Sequence, residues 1–128
     1  MPVITVHGIP NDGKWERFKR AVANRLVQAI VRIKKLKFCT ADFVVCFPPS
    51  VRGGWEKPGP PKIIILVEHL FPRPDTSKER ERMMKHVAER VATVMNKYSS
   101  SPVICHVLAP HPYDTFHSSY RSFKLLGD

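Results

Sequence analysis

The strongest constraint on the fold is an order of apolar patterns that occurs twice. Residues 3–9, VITVHGI, are apolar and β-branched, and they stop at the turn formers Pro10-Asn11-Asp12-Gly13. Trp15, Phe18, Val22, Leu26, Ile30 and Ile33 then recur at spacings of three and four, which marks one buried helix face. Asn11 or Asp12 can cap that helix. Residues 43–47, FVVCF, closed by Pro48-Pro49, read as a buried strand.

Residues 48–61 hold five prolines and three glycines, so no packed helix forms there and a loop or short hairpin is expected. The order then repeats. Residues 63–67 are a continuous apolar strand, and Thr76 and Glu79 have capping-box spacing. Met83, Met84, Val87, Val91, Val94, Met95 and Tyr98 supply a second helical face, and residues 103–108 close the unit as a strand. A shift of about 60 positions superimposes the two halves in pattern, although few side chains match. The expected fold is α/β (α+β): two consecutive β-α-β units in one four-stranded mixed sheet, with two helices on one face. The expected organisation is a single domain over 1–128, with a pseudo-repeat at 1–50 and 62–110, a connector at 48–61 and a tail at 111–128. Strand 63–67 is apolar toward both faces while helices cover only one, so the other face needs a ligand or further subunits.

Met1-Pro2 runs directly into the first strand. Once Met1 is removed, Pro2 is a secondary amine at a rigid strand start. The reference pKa of an α-amino group, roughly 7.7–8.0, falls with burial beside cations. Such an amine serves as a general base, or as a nucleophile through an iminium. The plain alternative is a proline that simply begins a strand.

Two β-α-β units behind a Pro2 strand resemble the tautomerase superfamily, which includes 4-oxalocrotonate tautomerase and macrophage migration inhibitory factor. The resemblance runs from Pro2 to about Tyr120 and is best in the second unit, IIILVEHLFPRPDTSKERERMMKHVAERV, with its strand, Arg-x-Asp turn and Lys-Glu-bearing helix start. It implies a fused two-unit subunit that assembles as a homotrimer, covering the bare sheet face. It also implies proton transfer by the amino-terminal proline on a small enol or α-keto acid, with no cofactor or metal. Pro2 carries over as the catalytic base and Arg73 as the arginine that grips the substrate carboxylate through two parallel hydrogen bonds. Arg52 is a second, weaker substrate-binding cation. The first unit has only Lys14 where an arginine would follow its strand. Tyr113, Phe116, His117 and Tyr120 fall where the family closes its pocket, with Tyr113 able to hydrogen-bond a developing enolate. Each of these also has a plain reading, as a loop cation or a packing residue of the tail.

Other chemistry finds less support. None of the six histidines forms a His-x-x-x-His pair, and the adjacent Cys105 and His106 point to opposite faces of a strand, so no metal site is expected. Cys46 and Cys105, inside apolar strands, read as small hydrophobes. No GxGxxG or P-loop pattern occurs. No uncharged apolar stretch of about 18 residues is present, so a membrane partner is not expected. No signal-peptide pattern opens the chain, and a reduced, cytoplasmic protein is expected.

Two rival readings stay open. One is a tautomerase-fold trimer without catalysis. The other is a basic α/β nucleic-acid-binding module, favoured by a net charge of +10. The strands 3–9 and 63–67 lack the aromatics on which an RNA-recognition fold stacks bases, so that module would bind through phosphates. The charge itself is localised: residues 1–37 hold nine basic and two acidic side chains, and residues 38–128 hold twelve and nine. Lys14, Arg17, Arg20, Arg25, Arg32, Lys34 and Lys35 oppose the apolar stripe of the first helix. A solvated helix face accounts for them; an anionic partner docking there is the second reading.

Overall fold

The computed structural model describes residues 1–10, 13–48, 62–73, 75–111 and 114–125, the last segment from residue 110 as backbone. The elements follow the sequence pattern: β1 (Val3–His7), α1 (Glu16–Val31), β2 (Val44–Cys46), β3 (Ile63–Glu68), α2 (Lys78–Asn96), β4 (Val103–His111) and β5 (Asp114–Leu125). The strand order is β2-β1-β3-β4-β5. The β1–β2 and β3–β4 pairs are parallel, each joined through its helix, while β1 and β3 meet antiparallel. The four strands of the two units therefore form the expected mixed sheet with α1 and α2 on one face. Each parallel pair is adjacent, unlike the split β-α-β arrangement of RNA-recognition-type folds.

Alternation along the strands builds the core. Ile4 and Val6 of β1, Ile63, Ile65 and Val67 of β3, and Val103, Cys105 and Val107 of β4 point toward the helices and are buried. Val22, Leu26 and Ile30 of α1 meet them with Met84, Val87, Val91 and Met95 of α2. Ala88 and Ala92, small enough for close helix–sheet approach, are also buried. Trp15 and Phe18 pack at the margin of this cluster, with Phe18 edge-on to Tyr98 at 6.3 Å. The opposite sheet face leaves Val44 and Ile64 exposed and Leu66, Ile104 and Leu108 half-buried.

Several local expectations need correction. The cap of α2 is Ser77, not Thr76: its Oγ accepts the Arg80 N–H at 3.1 Å, and its own N–H donates to Asp75 Oδ1 at 2.8 Å. The Asp75 turn fixes which of two adjacent hydroxyls caps the helix. Helix α1 follows a single 3-10 turn, Gly13–Trp15, and has no side-chain cap; Asn11 and Asp12 lie outside the described residues. Cys46 is exposed on the short edge strand β2, whereas Cys105 is buried as expected and its thiol is pushed up to about 12 by desolvation. Much of the segment read as a tail is β5, which pairs antiparallel along β4 and adds a fifth strand. Residues 49–61 of the connector lie outside the described residues. Among the described residues no helix is long and apolar enough to cross a membrane.

Candidate functional site

Chain direction decides which candidate residues can share a site. Pro2 is buried at the entry to β1, and its carbonyl accepts the Val44 N–H at 3.0 Å, which ties it to the start of β2. Met1 is 78% exposed, so its loss removes no core contact. Because β1 and β3 are antiparallel with Val3 opposite Glu68, the exit of β3 lies at this same end.

That exit is tightly built. His69 takes a left-handed backbone (φ 62°), and Leu70 and Phe71 turn back into the core. Arg80 stacks over the Phe71 ring at 4.4 Å and donates from Nη1 to the Arg73 carbonyl at 2.9 Å. Its second nitrogen stands 4.0 Å from Asp75. The Ser77 backbone N–H, then the Ser77 side chain, hold the Asp75 carboxyl below its usual range, with Arg80 a smaller contribution. The Arg73 backbone is thereby fixed while its side chain is exposed.

Helix α1 returns the chain to the Pro2 end, which brings there Lys34 and Lys35, read from the sequence as part of a solvated helix face, together with Lys37. A 3-10 turn, Lys34–Leu36, ends at Lys37 in a left-handed conformation (φ 57°), and Lys34, Lys35 and Lys37 are exposed. The signal was available: in any β-α-β unit the helix exit leads back to the strand entry. Asp42 closes the next turn by accepting the Cys39 N–H at 2.8 Å. That backbone bond and, after it, the Cys39 side chain lower the Asp42 pKa, and the amino terminus lowers it slightly further.

One further candidate is placed away from Pro2. Lys14, exposed in the 3-10 turn after β1, is at the opposite end of the sheet. Arg52 and Tyr113 lie outside the described residues. The backbone of His117 lies in β5, one residue from the Pro110–Ser118 pair that prolongs the Pro2 end.

A separate groove of about 490 Å3 runs between α1 and α2 on the helical face. Arg25, Arg32, Arg90, Lys97, Glu89 and Tyr98 line it, over a floor that includes Ala29 and Val94. Arg25 and Arg32, which in sequence read as part of a solvated helix face, border this groove. Lys19 is buried, near the Phe47 ring and 4.0 Å from Glu16, a burial that its charge does not announce in the sequence. Among the described residues no group of three His, Cys, Asp or Glu side chains is disposed to hold a metal.

No protein-family model matches the chain, and no curated protein sequence matches it. A search of solved structures finds similarity to a macrophage migration inhibitory factor-like protein from Entamoeba histolytica. It is 12% identical and covers 77% of this chain and 74% of that one, with a TM-score of 0.48.

Proposed function

We propose that the chain is a tautomerase-superfamily enzyme that uses Pro2, freed of Met1, as a general base on a small enol or α-keto acid bearing a carboxylate. The observation that carries this reading is the buried Pro2 at the head of a parallel β1–β2 pair, beside the β3 exit that leads to Arg73. The neutral Pro2 amine takes the enol hydroxyl proton as the carbonyl forms, and the resulting ammonium returns a proton to the adjacent carbon. The net change is a 1,3-proton shift with no bond between heavy atoms broken. Arg73 supplies a bidentate clamp for the carboxylate, and the cations at 34, 35 and 37 add to the positive field at this end. The exposed apolar positions Val44 and Ile64, with half-buried Leu66 and Ile104, support assembly through the uncovered sheet face, and a homotrimer is the form we propose.

In protein lacking Met1, Pro2→Ala is expected to lower the rate of ketonisation of a phenylpyruvate-type enol by at least ~10²-fold, the scale of general-base loss. Unchanged turnover would reject the role of Pro2.

A further inference from the structure

We infer that the groove between α1 and α2 is a binding site for a ligand carrying two or three linked phosphates, separate from the Pro2 end. Four cations, Arg25, Arg32, Arg90 and Lys97, face one carboxylate, Glu89, which leaves a net charge of +3 when His86 is counted neutral. None of these five charged groups forms an ion pair among the described residues.

The arrangement follows from helix geometry. Phe18 near the start of α1 meets Tyr98 beyond the end of α2, and Arg90 bonds to Ala29 near the end of α1, so the helices run antiparallel. Arg25 on α1 and Arg32, which caps its end, are seven residues apart, as are Arg90 on α2 and its capping residue Lys97, so each pair sits two turns or roughly 10 Å apart along its axis. Between those two contacts Arg25 falls level with the stretch from Arg90 to Lys97, and Arg32 falls beyond Arg90, so the cations of the two helices alternate along the groove. Arg90 is also pre-set: its Nε donates to the Ala29 carbonyl at 3.1 Å in a partly buried position, leaving the other guanidinium nitrogens for a ligand.

Charge and size select the ligand class. A terminal phosphate carries about −1.5 to −2 at pH 7, so two linked phosphates match the net charge of the groove. A volume of about 490 Å3 is that of a small-molecule site. At the Lys97 end Tyr98 offers an aromatic ring, and Ala29 and Val94 an apolar floor, to any planar group attached to the phosphates. An inorganic polyphosphate and a nucleoside polyphosphate share the phosphate chemistry and differ in their use of Tyr98.

Isothermal titration of the full chain with tripolyphosphate, ATP and a short single-stranded DNA, at physiological ionic strength, tests the site. Tripolyphosphate is expected to bind. The double variant Arg25→Gln/Arg32→Gln should weaken it by at least ~10-fold, the effect of losing charge-assisted bonds. Arg17→Gln/Arg20→Gln removes equal charge from exposed α1 positions outside the groove and should change binding less than about twofold. Tyr98→Leu should weaken ATP but not tripolyphosphate if the ligand is a nucleotide, and neither if it is inorganic. Equal losses in the two arginine pairs would reduce the effect to diffuse charge and overturn the site. Absence of tripolyphosphate binding, or binding of the DNA alone, would overturn it as well.

Discussion

The Pro2 end of the sheet and the interhelical groove are both rich in cations, yet they are built by different means. At the Pro2 end the backbone sets positions: strand directions, two left-handed residues at Lys37 and His69, and the Asp75–Ser77–Arg80 bonds decide where Arg73 and the lysines emerge. In the groove two helices set positions, and the cations converge because seven-residue spacings on antiparallel helices interleave. A site of the first kind fails when chain geometry is disturbed. A site of the second kind fails when individual side chains are exchanged.

Gly8 provides the largest way to break this contrast. It sits at φ +103° at the end of β1, and a Cβ there would collide with the Lys62 carbonyl at the entry to β3. Gly8→Ala is expected to destabilise the chain by about 3 kcal/mol in urea unfolding and to impair the Pro2 end through the β1–β3 register. Gly8 lies at the end of the sheet away from Pro2, so a neutral result would mean that the β1–β3 register does not depend on the Gly8 backbone.

Exchanging a side chain at the Pro2 end has a smaller, selective effect. Arg73→Ala should raise KM for a carboxylate substrate by roughly 10- to 100-fold, with little change for a neutral analogue, as loss of a charge-assisted clamp predicts. The Arg25→Gln/Arg32→Gln pair should leave the same reaction within about twofold. A comparable loss from that pair would merge the two regions into one site.

Acid gives the smallest effect. Asp42 and Asp75 both have pKa values lowered by accepting backbone N–H groups in the folded chain, so each contributes stability above the ordinary value of 3.8. That contribution is lost as pH falls through the lower folded value. Asp75 is exposed and Asp42 only half-buried, so Asp42→Ala/Asp75→Ala should flatten the acid limb of a stability–pH curve only slightly. An unaltered limb would remove these turns from the account of what fixes the Pro2 end.

The contrast also explains what the sequence could reveal. Both β-α-β units were legible because Val22, Leu26 and Ile30, or Val87, Val91 and Met95, repeat at helical spacing between apolar strands. The helix-side face of the sheet was legible for the same reason. Strand order was not, because residues 63–67 are apolar throughout and fit several neighbours. The cap at Ser77 depended on a bond from its N–H to Asp75, which the Thr76-to-Glu79 spacing does not encode. Cys46 looked buried within an apolar run, but β2 is a three-residue edge strand and its outer face is open. Strand β5 pairs through the backbone of β4, and backbone donors and acceptors leave no side-chain pattern. At the candidate site Pro2 and Arg73 stood out by type and position, whereas Lys34, Lys35 and Lys37 required the path of α1 back to β1.

We propose that a free Pro2 amine performs the chemistry. The direct measurement compares ketonisation of a phenylpyruvate-type enol by two preparations, one with Met1 intact and one without it, each verified by intact mass. Met1 is largely exposed, so both forms should fold alike. Turnover is expected in the form lacking Met1, and a rate at least ~10²-fold lower in the form that keeps it. Equal turnover by the two forms would contradict the account.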